Sequence, residues 1–441
     1  MESTTKKAYW WVPTLYFAEG LPYFIVMELS AYLYKDMGLS DTEMSFYTGM
    51  FYLPWVIKPL WSPLIDATKT KRWWIVITQF IGTVALFTLA ISLHTTWWLA
   101  MSISLCWLMA FTSATHDIAA DGFYILALDS HTQAFYVGVR SFAYRIARIF
   151  IMGGLLALAG WAEQGMPLGN NTHLLDDPSK QTAWSITLCI GAVVFLLVWL
   201  WHLRAIPHAE QKSTDTQSRT TGEILHETLQ EMKRTFTVFF SKPYIWTALL
   251  FIFLFRFPEA QLGKLSGPFM MAPLDAGGLE LDKATISLVN SVVGVIGLLV
   301  GGILGGVLIS RGGLKRWLWP MVCAISLPDA LYILMAATQT QNIYMVGTCV
   351  FVEQFGYGFG YSAYMLYLVY FSTGEKSTSI FALCTAITSL GMMLPGMMAG
   401  WIADHIGYTN FFIYVTVCCA VTFLVSAFLK IDPEYGKKQA Q

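Results

Sequence analysis

Residues 63–74 read PLIDATKTKRWW, and residues 307–318 read VLISRGGLKRWL. Aligned without gaps they agree at five of twelve positions: Leu64/Leu308, Ile65/Ile309, Lys71/Lys315, Arg72/Arg316 and Trp73/Trp317. Each segment is a short basic loop that follows the second long apolar stretch of its half of the chain. The same loop at the same place in two halves points to an internal repeat, built on a unit of six apolar stretches.

Working outward from these loops, twelve apolar stretches recur at roughly 9–34, 44–66, 73–93, 97–126, 134–162, 183–203, 244–271, 284–310, 317–337, 342–371, 377–402 and 408–430. They are numbered spans 1 to 12 below. A membrane-spanning helix needs about 20 apolar residues, and backbone groups in lipid must be satisfied within the segment, so the spans are expected to be helices. Composition agrees. Of 441 residues 56% are hydrophobic and only 12% are charged, against about 25% charged in an ordinary soluble domain. The 27 basic and 28 acidic side chains would cover a soluble exterior poorly. A soluble globule, a disordered chain and a disulfide-stapled secreted domain are excluded. The formal net charge of −1 gives no support for nucleic-acid binding. The seven cysteines all fall in apolar stretches without zinc-ligand spacing, and read as small buried hydrophobes. The first apolar stretch is long and lacks a small-residue cleavage site, so it reads as a retained span, not a signal peptide.

Lys and Arg in the loops set the orientation. With both termini in the cytoplasm, inner segments carry 18 basic residues, and outer loops carry three, Lys35, Lys180 and Lys283. That split also requires an even number of spans. The longest polar stretch, 204–242, begins rich in Ser, Thr and Gln and then turns helical. Leu225, Leu229, Met232, Phe236 and Phe239 make one apolar stripe, which predicts a linker helix lying on the membrane surface. The expected organisation is a six-helix bundle over 1–203, a cytoplasmic linker over 204–242 and a second six-helix bundle over 243–441. Two parallel six-helix repeats joined by a long inner loop resemble the layout of the major facilitator superfamily.

Holding a charge at mid-bilayer costs about 2.5–3.5 kcal/mol on insertion scales. The spans nevertheless hold Glu19, Glu28, Asp117, Asp121, Glu259, Asp329 and Glu353, with Lys58, Arg140, Arg145, Arg148, Arg256 and Lys264. Near-balance of sign suggests pairing around a water-filled cavity; fixed salt bridges between helices are the alternative for any one residue. Asp117 and Asp121 share a face of span 4, and Arg145 and Arg148 are three apart on span 5. Guanidinium and ammonium groups beside one cavity suit an anion, most simply a carboxylate, and buried carboxyls beside them suit proton coupling. Substrate binding is therefore assigned to Glu19, Tyr23, Lys58, Arg145, Arg148, Arg256, Glu353 and Tyr357, and proton coupling to Asp117, Asp121 and Glu259. No catalytic residue, metal or cofactor is expected.

Spans 1 and 7 occupy corresponding positions in the two halves, and both are interrupted: Glu19-Gly20-Leu21-Pro22 in one, Arg256, Pro258, Glu259, Gly263, Gly267 and Pro268 in the other. Paired broken helices are the best sequence pointer to a transporter site. Span 2 carries Pro54, Pro59 and Pro63. Span 10 has Gly356, Gly358 and Gly360, which permit close helix approach, within a tyrosine-rich run suited to sugar stacking or to helix interfaces. Asp66 followed by Lys71 and Arg72 is read as a cytoplasmic gate, a degenerate form of a superfamily motif. His116 and Asp121 stand in an H-x4-D spacing, which would suit a membrane acyltransferase, but no second acyltransferase motif accompanies it. No phosphate-binding glycine loop is found, so an ion gradient is the expected driving force.

Three segments carry a closer resemblance: Phe17-Ala18-Glu19-Gly20-Leu21-Pro22, Lys58-Pro59-Leu60-Trp61-Ser62-Pro63-Leu64-Ile65-Asp66, and Ala114-Thr115-His116-Asp117-Ile118-Ala119-Ala120-Asp121-Gly122. With Tyr144-Arg145, Glu353 and its glycines, Phe381-Ala382-Leu383 and Ala399-Gly400-Trp401, they resemble the AmpG-type muropeptide permeases over nearly the whole chain. The resemblance implies uptake of peptidoglycan fragments, GlcNAc-anhydroMurNAc with or without peptide, or MurNAc, by proton symport. It further implies a bacterial inner membrane protein, with an anionic amino sugar, protons and lipid as partners; a monomer is usual for the superfamily. Departures are His116 in place of the usual glutamine, Met392 where an arginine often follows the glycine, and twelve spans where AmpG permeases commonly carry two more. Proton-coupled transport of another solute, including drug or metabolite export, is the alternative.

Overall fold

A computed structural model describes residues 8–169, 172–176, 178–208 and 221–436. These residues are almost entirely helical, and each of the twelve apolar stretches forms a helical segment. Among the described residues, eight helices are long and apolar enough to cross a membrane. One of them, Ser377–Ala427, contains both span 11 and span 12, divided where Gly407 takes a φ of 77° that a side chain would disfavour. A short hairpin, Pro167–Gly169 with Thr172–His173, lies in the loop between spans 5 and 6.

The spans that the sequence marks as interrupted are irregular. Span 1 runs Ala8–Phe24, widens into a π-turn over Ile25–Leu29, and continues as Ser30–Asp36. Span 2 is the most broken: Asp41–Met50, Leu53–Ile57, a tight turn at Lys58–Leu60, then Ser62–Thr68. Its prolines remove backbone donors, so the hydrogen-bond ladder fails around Lys58. Span 7 breaks between Ile245–Leu254 and Phe257–Met271, leaving Arg256 at the junction. Span 9 breaks at the turn Leu327–Asp329.

The described chain forms two compact units. One takes in residues up to Leu33 together with Ile57–Glu231, and the other takes in Tyr34–Val56 with Met232 onward. In the first, Trp11, Tyr16, Ile75, Phe123 and Tyr124 are buried together, with the Trp11 and Phe123 rings edge-on at 5.1 Å. In the second, Phe251, Phe255, Tyr364 and Tyr367 are buried together, and Phe255 stacks on Tyr364 at 5.2 Å. Large apolar side chains such as Ile91, Ile303 and Val417 point outward, where lipid replaces water.

The linker helix forms over Thr221–Phe240. Its Phe239 is buried in the second unit's core, edge-on to Phe371 at 5.9 Å, and Arg234 pairs with Glu375 at 2.8 Å. The stripe therefore docks on protein at this end. The side chains of Leu225 and Leu229 lie outside the described residues.

Glycines let spans 8, 9 and 10 meet backbone to backbone. A Cβ at Gly356 would collide with the Ala324 carbonyl oxygen of span 9, and one at Gly301 with the Phe355 carbonyl oxygen of span 10. Backbone atoms cannot rotate aside as a side-chain tip can. Gly356→Ala is expected to destabilise the protein by about 1–3 kcal/mol or more, read as a lower thermal midpoint in detergent. Gly347→Ala, where a Cβ meets nothing within 4 Å, should leave it unchanged.

Candidate functional site

In the first unit, spans 1, 2, 4 and 5 bring their charges together in pairs. The turn at Lys58–Leu60 delivers the Lys58 ammonium to Asp117 of span 4, a direct ion pair. Glu19 of span 1 lies beside Asp117, within the electrostatic reach of Asp121, Arg140 and Lys58 as well. One turn along span 4, Asp121 takes Arg140 of span 5 at 2.5 Å and the Tyr16 hydroxyl at 3.0 Å. The Arg140 guanidinium carbon lies 4.2 Å from the ring centre of Tyr16 and 4.9 Å from that of Tyr124. Farther along span 5, Arg148 Nε reaches both oxygens of Glu28 at 3.0 Å.

The positions expected from sequence are thus partly assembled. Glu19, Lys58, Asp117 and Asp121 form one cluster. Arg148 pairs with Glu28 on the π-turn of span 1 instead of joining them. Arg145 is half-buried on span 5 between Arg140 and Arg148. Tyr23 packs its ring against Phe24 at 5.1 Å and Tyr144 at 6.0 Å. Spans 1 and 5 approach closely at Gly20, where a Cβ would come 2.7 Å from that of Ala147.

Of the expected gate residues, Arg72 donates from Nε to the Ile206 carbonyl at 3.0 Å and from Nη2 to that of Leu203 at 2.6 Å. It thereby satisfies carbonyls at the end of span 6. The Lys71 stem lies on Gly122 of span 4, its Cε 2.8 Å from where a Cβ would stand. The side chain of Asp66 lies outside the described residues.

His116 does not meet Asp121, so the base-and-acid pair of the acyltransferase alternative does not form. Five residues of helix turn the two side chains to different faces. His116 Nε2 instead accepts from the Gln79 amide at 2.9 Å, Gln79 Oε1 accepts from His202 Nδ1 at 3.0 Å, and the Thr14 hydroxyl meets His202 Nε2 at 2.9 Å. This buried chain joins spans 1, 3, 4 and 6. Neither it nor the Arg140 cage is assigned from the sequence. A lone Gln in an apolar span, and a Tyr one turn before Glu19, are the signals that point to them.

In the second unit, Arg256 sits at the break of span 7 and grips Glu259 at 2.6 and 2.8 Å. It also donates to the Tyr357 hydroxyl at 3.0 Å and lies 5.0 Å from the ring centre of Tyr361. Glu353 is buried on span 10, and its carboxylate accepts from Gln354 Nε2 at 2.9 Å. Asp329, buried at the break of span 9, accepts from the Cys419 thiol at 3.4 Å and feels the charges of Glu353 and Glu259. Arg256, Glu259 and Tyr357 are therefore one group. Such arrangements can hold an anion against a guanidinium and move a proton at a carboxyl.

Residues 14–369 and 265–441 match the sequence model of the Major Facilitator Superfamily. The anhydromuropeptide permease of Escherichia coli (strain K12) is 26% identical over 420 residues, covering 93% of this chain and 77% of that one. Among solved structures, tetrameric PepTSo2 aligns with a TM-score of 0.68 at 11% identity, covering 96% of this chain and 98% of that chain. A D-xylose-proton symporter aligns with a TM-score of 0.65 at 13% identity, covering 98% and 99%. At these identities the structural likeness concerns the fold alone: twelve spans in two parallel six-helix repeats. The motif resemblance to the AmpG-type permeases and the sequence match to one of them agree.

Proposed function

The chain belongs to the Major Facilitator Superfamily, an integral membrane transporter family, and we propose that it imports peptidoglycan-derived amino sugars by proton symport. The cargo is an anhydromuropeptide, GlcNAc-anhydroMurNAc or MurNAc, carried by alternating access into the cytoplasm across a bacterial inner membrane. Both termini are cytoplasmic on the positive-inside rule. The two six-helix repeats, over 1–203 and 243–441 and joined by the 204–242 linker, alternate the access of the site.

The observation that carries this reading is the matched pairing of cations and carboxylates inside the spans of each unit: Lys58 with Asp117, Arg140 with Asp121, Arg256 with Glu259. Muramic acid bears a lactyl carboxylate, or a peptide in its place, and a guanidinium or ammonium suits either. Carboxyls beside those cations supply the proton sites. Tyr357 and Tyr361 hold the Arg256 guanidinium against their rings, 5.6 and 5.0 Å from the ring centres. The named function of the Escherichia coli relative supports the cargo class.

Uptake of radiolabelled GlcNAc-anhydroMurNAc into proteoliposomes tests it. An inward proton gradient should drive accumulation, and a protonophore should abolish it. Folded protein that takes up neither this sugar nor MurNAc would sink the proposed cargo. Uptake that ignores the proton gradient would sink the coupling.

A further inference from the structure

Three ion pairs of the first unit, Lys58–Asp117, Arg148–Glu28 and Arg140–Asp121, are not equivalent. In Lys58–Asp117 the carboxylate side chain is 18% exposed, and in Arg148–Glu28 it is 29% exposed, but Asp121 is 44% exposed. Asp121 is thus the most exposed of these three carboxylates. Its partner is also held differently. The Arg140 guanidinium lies against the rings of Tyr16 and Tyr124, whose faces attract a cation. Those rings hold the guanidinium by contacts that do not involve Asp121.

The surrounding charge sets a condition on any anion that arrives. Three carboxyls, Glu19, Asp117 and Asp121, share this place with the cations Lys58 and Arg140, and Lys71 approaches across Gly122. A carboxylate ligand entering alone would add one negative charge beside these carboxyls, a cost that a low-dielectric setting magnifies. A carboxylate entering with one proton leaves the net charge where it was.

We propose that Arg140 is the carboxylate-recognition residue of the first unit, and that Asp121 occupies it as an internal stand-in until a proton releases it. A proton binds the Asp121 carboxylate, its ion pair with Arg140 opens, and the ligand carboxylate takes the vacated guanidinium. Departure of the ligand returns Asp121 to Arg140 and frees the proton. The groups that face Asp121 are Tyr16 and Glu19 of span 1, Lys58 of span 2, Asp117 and Tyr124 of span 4, and Arg140 of span 5. Lys71 of span 3 approaches across Gly122. This assignment rests on the proposed anionic cargo and names the residue that reads its charge.

The experiment is equilibrium binding to the purified full chain from pH 5 to 8. Two probes are used, GlcNAc-anhydroMurNAc and the neutral disaccharide GlcNAc-GlcNAc. Wild type should lose affinity for the charged probe as pH rises, by up to ~10-fold per unit for one linked proton. Asp121→Asn should bind the charged probe with an affinity flat in pH. It should also retain exchange of labelled for unlabelled sugar while losing proton-driven accumulation. Arg140→Gln should weaken the charged probe ~100-fold and leave the neutral one unchanged, and Arg140→Lys should recover part of the loss. A thermal melt on each variant identifies any that does not fold. Persistence of the pH slope in folded Asp121→Asn, or equal loss of both probes in Arg140→Gln, overturns this assignment and leaves the cargo reading intact. Wild type that binds neither probe overturns both.

Discussion

Lys58→Ala is expected to abolish uptake and to lower the thermal midpoint, and adding Asp117→Ala is expected to restore the midpoint but not the uptake. Lys58 holds Asp117 directly, and Glu19 stands on the other side of that carboxylate. Removing the ammonium leaves two carboxyls facing each other between spans 1 and 4. Breaking a buried pair by removing one partner costs about 3–5 kcal/mol. The exposure of these side chains, 30% and 18%, places the cost at the lower end. About 3 kcal/mol is more than 100-fold in an equilibrium constant. Removing Asp117 as well takes away the orphaned charge, so stability returns. Uptake should stay below ~1% of wild type, because Lys58 is proposed to contact the cargo and Asp117 to serve the proton. The measurement is proton-driven uptake in proteoliposomes at matched protein incorporation, beside thermal melts of all three proteins. A double variant that transports normally would make the pair a clasp between spans 2 and 4 and nothing more.

That the pair exists is half legible in the sequence. Charges inside apolar stretches announce themselves by their cost, and prolines at 54, 59 and 63 announce a break beside Lys58. The fold is legible for the same reason: lipid forces helices, and a repeated basic loop marks the half. Partner choice is not legible, because it depends on helix rotation and crossing, which no span states for itself. Arg148 illustrates this. Its spacing from Arg145 suggests a shared cavity face, yet the π-turn at Ile25–Leu29 carries Glu28 to it. A π-turn shifts the register of a helix by a fraction of a turn, and here it follows no glycine or proline within its own five residues. His116 illustrates it again: a spacing that looks catalytic places the ring on another face, against Gln79 of span 3. The grouping of Tyr34–Val56 with the second unit is likewise invisible to a reading that cuts the chain at its longest polar loop. It arises from side chains that meet over more than two hundred residues of sequence.

The strongest of those meetings is Lys283 with Asp36, and Lys283→Met is expected to cost about 3–5 kcal/mol of stability. Both side chains are nearly enclosed, 5% and 7% exposed, so water cannot take over the role of the ammonium. Near them Lys35 pairs with Asp41 at 2.6 Å, Tyr408 donates to Asp41 at 2.5 Å, and Thr42 donates to Asp404 at 2.6 Å. Gly400 completes the seam: a Cβ there would strike the Asp41 carbonyl oxygen, and its N–H donates to Ser45 at 3.0 Å. These contacts join the stretch from Lys35 to Ser45 to spans 8, 11 and 12 of the same unit. Because the energy of a buried ion pair is largely offset by the cost of drying it, replacing both partners should be far milder than replacing one. Asp36→Leu with Lys283→Met is therefore expected to melt within a few degrees of wild type, or above it, whereas Lys283→Met alone melts well below. The contrast between single and double separates a dry pair from a solvated one, since an exposed bridge is worth about 0–1 kcal/mol whichever partner is removed. A single variant that melts with wild type would mean that water enters this seam, and that the other contacts hold residues 34–56 without it.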